Sequence, residues 1–140
     1  MAVAYFQAKD GTPKSMVAFS HDTGKSFGTP IRVDSGASLG RAHLELLEDG
    51  SAAIAFIELT GTKAFFQVKR VSADGRVSQP VTIAEVSNGR ASGYPRMVMS
   101  GRHLVFAWLT TGGTSSVATA TAAIPSMRQA QSVGSVGLPD

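Results

Sequence analysis

Apolar and polar residues alternate, or form short apolar runs, along most of this chain. Such segments are typical of short β-strands. Between them lie turn sequences such as Asp-Gly and Ser-Gly, which adopt the positive φ of tight hairpins. No segment of ten or more residues follows a 3.6-residue period, and a short helix is expected at most near 126–131. The predicted strands are 2–7, 15–20, 30–33, 42–47, 52–59, 64–71, 80–84, 95–99, 103–110 and 116–121.

An internal repeat organises these strands. Segments 3–7, 54–58 and 106–110 share the order apolar, Ala, aromatic, apolar, polar, at spacings of 51 and 52 residues. A period near 50 with four strands per period is typical of β-propeller blades. We therefore expect an all-β chain forming a partial β-propeller of about two and a half four-stranded antiparallel blades. The predicted blades are 1–34, 41–85 and 94–122, followed by a C-terminal tail at 123–140.

Composition narrows the possible functions. Of the 140 residues, 43% are hydrophobic and 16% charged, so the chain is not a disordered polyelectrolyte. The net charge is +3, but the 13 basic residues are scattered, which gives no support to nucleic-acid binding. Cysteine is absent, which excludes disulfides and thiol nucleophiles within this sequence. No apolar run is long enough to predict a membrane span, and residues 1–8 lack the features of a signal peptide.

One turn carries a family resemblance. The segment Ser20-His21-Asp22-Thr23-Gly24-Lys25-Ser26-Phe27 resembles the Asp-box of bacterial sialidase-like β-propellers, Ser-x-Asp-x-Gly-x-x-aromatic, and 72–77 is similar to a shortened copy. The motif residues are Ser20, Asp22, Gly24 and Phe27. The carboxylate is suited to accept hydrogen bonds from the backbone amides of the turn, and the glycine is suited to adopt positive φ. The aromatic ring is expected to be buried beneath the turn. We therefore expect a structural role at the blade periphery.

With the repeat, the resemblance covers roughly residues 1–121 and implies a ring of six blades. This chain then looks like the C-terminal part of a larger propeller, one that needs the missing blades or self-association to cover its end faces. The resemblance also implies a periplasmic or extracellular parent protein.

The axial site of a propeller is lined by the innermost strands and the loops that enter them, here 40–43 and 92–96. The ligand-binding candidates are Arg41, His43, Tyr94 and Arg96. The two guanidinium groups are suited to bind a carboxylate or sulfate, since they match such anions bidentately; the alternative is ordinary inter-blade pairing with Glu45 or Glu58. Simple alternation places Arg41, His43 and Glu45 on one face of a strand. No second histidine or carboxylate follows His43 at a spacing typical of metal ligands.

Tyr94 is a weak candidate for the tyrosine nucleophile that the resemblance implies. Pro95 follows it, which departs from the family pattern, and Arg41 and Glu58 stand near positions where that pattern has a Glu and an Arg. The alternative is a half-buried ring at the channel mouth.

Two functions follow. The first is a sialidase-like propeller segment, non-catalytic by itself, that binds a glycan, polymer or protein partner through its axial face. The alternative is part of an exo-α-sialidase-type glycoside hydrolase whose other catalytic residues lie upstream. A purely structural segment is a third possibility. No cofactor and no metal are predicted.

Overall fold

Ten strands in three antiparallel sheets make up this protein, as seen in a computed structural model that describes residues 1–127. The sheet orders are β1-β2-β3, β4-β5-β6-β7 and β10-β9-β8, which we name blades 1, 2 and 3. The predicted all-β partial propeller is confirmed. In the described residues, no helix is long and apolar enough to cross a membrane. The strands are β1 (Ala2–Gln7), β2 (Lys14–Phe19), β3 (Ile31–Arg32), β4 (Ala37–Leu46), β5 (Ala52–Thr60), β6 (Lys63–Val71), β7 (Val81–Val86), β8 (Arg96–Ser100), β9 (His103–Thr110) and β10 (Ser116–Ala123).

Tight turns fix the register of the hairpins. Thr60 pairs with Lys63, and Ser100 pairs with His103, so each hairpin closes over two residues. The first residue of each turn is a glycine at φ +61° (Gly61) or +58° (Gly101). Positive φ at this position is required by the turns that match the twist of the flanking strands. The sequence signal was therefore local and reliable here.

The strand bounds differ from the prediction most clearly at four strands. β3 has two residues instead of four, β4 begins at Ala37 instead of 42, and β7 and β10 each end two residues later than predicted, at Val86 and Ala123. The early start of β4 was missed because Ser-Leu-Gly-Arg breaks the alternation, whereas the structure keeps the strand paired through two bulges. Helix in the described part is limited to 3-10 turns at Lys9–Gly11 and Arg90–Ser92. The helix expected near 126–131 and most of the predicted tail lie outside the described residues.

Two apolar layers hold the blades together, one on each face of blade 2. The layer against blade 1 contains the residues Val17, Phe19, Val33, Ala52, Ile54, Phe56 and Val71. The layer against blade 3 contains the residues Leu47, Ala53, Ala55, Ile57, Ala64, Phe66, Val68, Met97, Leu104 and Phe106.

The repeated Ala-aromatic pattern explains how these layers pack. In β5 the fully buried Ile54 and Phe56 face blade 1, while Ala55 between them faces blade 3. Small alanines on one face allow the neighbouring sheet to approach, and large side chains on the other fill the gap. The same order on β9 directs Phe106 and Trp108 into the layer shared with blade 2. The pattern therefore encodes which face of each blade meets the preceding blade.

The two outer faces of the three-blade stack remain open. Val3 on blade 1 is 41% exposed although its repeat equivalent Ile54 is fully buried. On blade 3 the residues Val98, Leu109 and Val117 are also exposed. The positions of Leu109 and Val117 correspond to Ile57 and Phe66 of blade 2, which are buried.

Candidate functional site

The innermost strand of blade 2 is distorted where the predicted axial site begins. The register between β4 and β5 shifts twice, between Ser38 and Gly40 and again between Gly40 and His43. Gly40 lies at φ +72° and Arg41 at φ +57°. A β-carbon on Gly40 would lie 2.7 Å from the ring of Phe6, so glycine is required there. Bulges re-aim side chains, and an arginine in the left-handed region costs about 1–2 kcal/mol.

The positive-φ backbone at Arg41 directs its side chain from blade 2 toward the segment that enters blade 3. Its guanidinium donates to the hydroxyl of Ser92 and, at 3.4 Å, to the carbonyl of Gly89. The same guanidinium lies over the ring of Tyr94, with Cζ 5.6 Å from the ring centre. A cation over an aromatic face is attracted by the ring quadrupole. Arg41 is therefore held by a hydrogen-bonded turn and by an aromatic ring, both from the segment that enters β8.

The segment that enters β8 is held in one conformation by its own hydrogen bonds. The 3-10 turn Arg90–Ser92 is closed by the Gly93 N–H, which donates to the Arg90 carbonyl, and the buried Ser92 hydroxyl donates to Gly89 O at 2.8 Å. Gly93 lies at φ +60°, and a β-carbon there would lie 2.9 Å from Leu109. Only glycine fits this junction without a shift. The following residue, Tyr94, is consequently directed outward and is 76% exposed.

The other two binding candidates lie apart from this pair. Met97 is buried against blade 2, so alternation along β8 places Arg96 on the opposite, open face of blade 3. His43 pairs with Ala55 and is half-buried. His43 and Glu45 pair with Ala55 and Ala53, which face blade 3, and Arg41 also reaches toward blade 3, so the three residues lie on one side of the strand although a bulge interrupts the register at Gly40–Arg41. Among the described residues, no group of three His, Cys, Asp or Glu side chains is placed to hold a metal ion.

Arg41 does not pair with the carboxylates suggested as its alternative partners. Glu58 instead accepts hydrogen bonds from Gln67 Nε2 and, at 2.6 Å, from the backbone N–H of Ser35. Lys69, 4% exposed, donates at 2.8 Å to both Val33 O and Ser35 Oγ. This buried network between blades 1 and 2 was not predicted, since nothing local to any one residue signals it.

Opposite charges balance within the network. Burial lowers the pKa of Lys69, while the carboxylates of Glu58 and Asp34 raise it in part. The buried carboxylate of Asp34 accepts from Ser15 N at 2.6 Å and from Arg32 Nη2 at 2.7 Å. Two buried acids are thus matched by two basic side chains, as burial of charge requires.

The Asp-box-like turn lies at the other end of blade 1. Asp22 Oδ1 accepts from Ser26 N at 2.9 Å and from Ser20 Oγ at 2.8 Å, and Ser20 Oγ also accepts from Gly24 N. These bonds, led by that of the Ser26 hydroxyl, lower the pKa of Asp22 to about 2. Phe27 is 44% exposed, so the expectation that it is buried is wrong. The turn extends beyond the last paired residue of β2, and its own hydrogen bonds close it.

Comparison with known proteins supports the fold. No protein-family model matches this chain, and no curated protein is significantly similar to it in sequence. Among solved structures it is similar to a thermostable family-43 glycoside hydrolase, a five-bladed β-propeller, with a TM-score of 0.56 and 18% identity. The match covers 86% of this chain and 46% of that one, so this chain spans about half the neighbour's length. At this identity the likeness shows the β-propeller fold alone.

Proposed function

We propose that this propeller segment binds a carboxylate-bearing glycan through its axial face, without cleaving it, and that Arg41 and Tyr94 form the binding site. The observation that carries the proposal is the placement of the Arg41 guanidinium over an exposed tyrosine ring. The three-blade segment is propeller-shaped, and a sialidase-like parent is part of the same proposal.

The chemistry of the pair suits an acidic sugar. A guanidinium binds a carboxylate through two parallel hydrogen bonds, and its remaining donors here are already held by Gly89 and Ser92. An exposed aromatic ring beside it offers an apolar surface and a hydroxyl at its rim, a combination that is enriched at ligand interfaces. Because the bulged backbone fixes Arg41 before any ligand arrives, less ordering entropy is lost on binding.

The alternative function is a contribution to a glycoside hydrolase active site completed by other blades. The propeller fold shared with a glycoside hydrolase supports this alternative. Against it, Glu58 stands near a position where the sialidase pattern has an Arg, and its carboxylate is engaged in the network between blades 1 and 2. The Arg41–Tyr94 pair therefore supports binding better than bond cleavage.

Titration of the full chain with N-acetylneuraminic acid, followed by amide NMR shifts, tests the proposal. We expect saturable shifts at Arg41, Ser92 and Tyr94. Arg41→Lys keeps the positive charge but loses the planar guanidinium that forms two parallel hydrogen bonds. The affinity for N-acetylneuraminic acid should therefore fall by about tenfold, which corresponds to about 1.4 kcal/mol. Arg96→Ala is the matched control, because Arg96 lies on the open face of blade 3, and it should bind normally. Unchanged binding by Arg41→Ala would refute the proposal.

A further inference from the structure

A second concave surface lies away from the axial pair, between blades 1 and 2. It is a groove of about 540 Å³ lined by the residues Ser35, Gly36, Glu58, Leu59, Thr60, Phe65, Gln67, Pro80 and Thr82. β3 of blade 1 is two residues long, and the segment that follows it supplies Ser35 and Gly36 to the groove. On that face Glu58 pairs with Phe65, and Gln67 with Thr82, so all four side chains share one surface.

The floor of the groove is polar and preorganised. Glu58 and Gln67 are 7% and 6% exposed, and they are joined by the Gln67 Nε2 donor. The carboxylate of Glu58 also accepts from Ser35 N, which leaves lone pairs on both oxygens. Within residues 1–127, Oε1 of Gln67 has no donor, and no fully buried side-chain oxygen is left unpaired. Oε1 therefore reaches the groove as a free acceptor.

The floor carries no net charge that would select an ion. Lys69 lies beneath it, donating to Val33 O and Ser35 Oγ, and its ammonium sits 5.7 Å from the ring centre of Phe56. Lys69 thus compensates the Glu58 carboxylate from below without reaching the surface. Acceptors predominate at the surface, so a ligand that donates hydroxyl protons fits, whereas an anion would meet the carboxylate unpaired.

One wall of the groove offers an apolar contact surface. Phe65 is half-buried, and Pro80 lies in the same lining. A groove of a few hundred Å³ that combines an aromatic surface with a few fixed polar groups has the properties of a small-molecule site. The C–H face of a pyranose ring is apolar while its rim carries hydroxyls, so a sugar matches both the wall and the floor.

We propose that this groove binds a neutral saccharide, with Phe65 contacting the sugar face and Glu58 and Gln67 accepting its hydroxyl protons. This site is distinct from the axial site, since none of its lining residues belongs to the Arg41–Tyr94 pair. It goes beyond the proposed function because it adds a second class of ligand, an uncharged saccharide, on the side of the propeller segment.

The full chain titrated with cellotriose, xylotriose and maltotriose, each followed by amide NMR shifts, is the test. At least one trisaccharide should give saturable shifts at Phe65, Gln67 and Thr82. Phe65→Ala should weaken binding by about tenfold, which corresponds to about 1.4 kcal/mol. Thr82→Arg should block the groove, and because Thr82 is exposed this variant should fold normally.

Two control variants separate this site from the axial one. Phe27→Ala removes a more exposed aromatic ring at the opposite end of blade 1 and should leave trisaccharide binding unchanged. Arg41→Ala should also leave it unchanged while abolishing binding of N-acetylneuraminic acid. Failure of all three trisaccharides to shift the groove residues would overturn the inference, as would binding that survives both Phe65→Ala and Thr82→Arg. Neither result would affect the axial proposal.

Discussion

Phe66 of blade 2 and Phe106 of blade 3 meet edge to face, with ring centres 5.7 Å apart and planes inclined at 80°. Both rings are almost completely buried, and Trp108 lies 6.2 Å from Phe66 in the same layer. Edge-to-face contact places the positive rim of one ring against the negative face of the other. This contact between blades joins residues from separate repeats.

Phe106→Ala should therefore destabilise the protein by about 3–5 kcal/mol, the range for a large buried aromatic side chain. A double-mutant cycle with Phe66→Ala should show about 0.5–1.5 kcal/mol of coupling. Urea unfolding at fixed protein concentration measures both quantities. Val117→Ala, at a 68% exposed position, is the control and should change stability little. Equal effects of Phe106→Ala and Val117→Ala would contradict the packing described here.

Asp22 should make stability depend on acidity in a defined window. Its pKa falls from 3.8 to about 2 in the folded protein, so its contribution is present above pH 4 and is lost as the pH falls through about 2. The melting temperature of Asp22→Asn should thus lie below that of the wild type at pH 6, and the difference should shrink between pH 4 and pH 2. Asp10→Asn, in an exposed turn, is the control. A difference that is the same at pH 6 and pH 2 would contradict this role.

Lys69 should be essential for joining blade 1 to blade 2. Lys69→Met removes the donor to Val33 O and Ser35 Oγ and leaves the Glu58 carboxylate without its compensating charge. Breaking a buried charge network costs about 3–5 kcal/mol. Adding Glu58→Gln to Lys69→Met should recover part of the loss, since the remaining buried charge is then removed. Denaturant unfolding of the two single variants and the double variant tests this; additive effects would show that the two charges are not coupled.

The open outer faces should drive self-association of this chain. Val3 on blade 1, and Leu109 and Val117 on blade 3, are exposed at positions that blade 2 buries. Val98 adds to the exposed apolar surface of blade 3. Apolar patches of several hundred Å² are rarely left uncovered in soluble monomers. Light scattering should show oligomers or aggregates, and Val98→Asp with Val117→Asp should reduce them. A monodisperse monomer with a cooperative melt would contradict this prediction.

The chain should not hydrolyse sialosides. The axial face described here offers one guanidinium and one tyrosine, and the Tyr94 ring lies against the cation of Arg41. A fluorogenic sialoside assay on the purified chain should give no turnover. Turnover that Tyr94→Phe abolishes would instead establish Tyr94 as a nucleophile and favour the glycoside hydrolase alternative.

Much of the fold was predictable because its signals are local. Alternation with a period of two identifies a strand whatever surrounds it, and a glycine at positive φ identifies a hairpin turn. The repeat of Ala and aromatic residues also predicted that Ile54 and Phe56 share one face while Ala55 takes the other, and the structure confirms it. Sequence alone placed every strand within a few residues, except for the early start of β4.

The candidate sites depend on contacts that no local pattern encodes. Two bulges on β4 turn Arg41 toward Tyr94, whereas unbroken alternation on β8 sends Arg96 to the opposite face. Both arginines looked alike in sequence, and only the backbone geometry separates them.

The sequence by itself determined that this chain forms antiparallel blades and which face of β5 meets each neighbour, because strand period and turn conformation are properties of a few consecutive residues. The tertiary structure decided which charges meet. The charges of Glu58 and Lys69 compensate each other because blade 1 packs against blade 2 and buries both side chains. The groove beside them forms where the segment after the two-residue β3 meets blade 2. Such pairings depend on the distance between sheets, which is set by side-chain volume in both apolar layers at once.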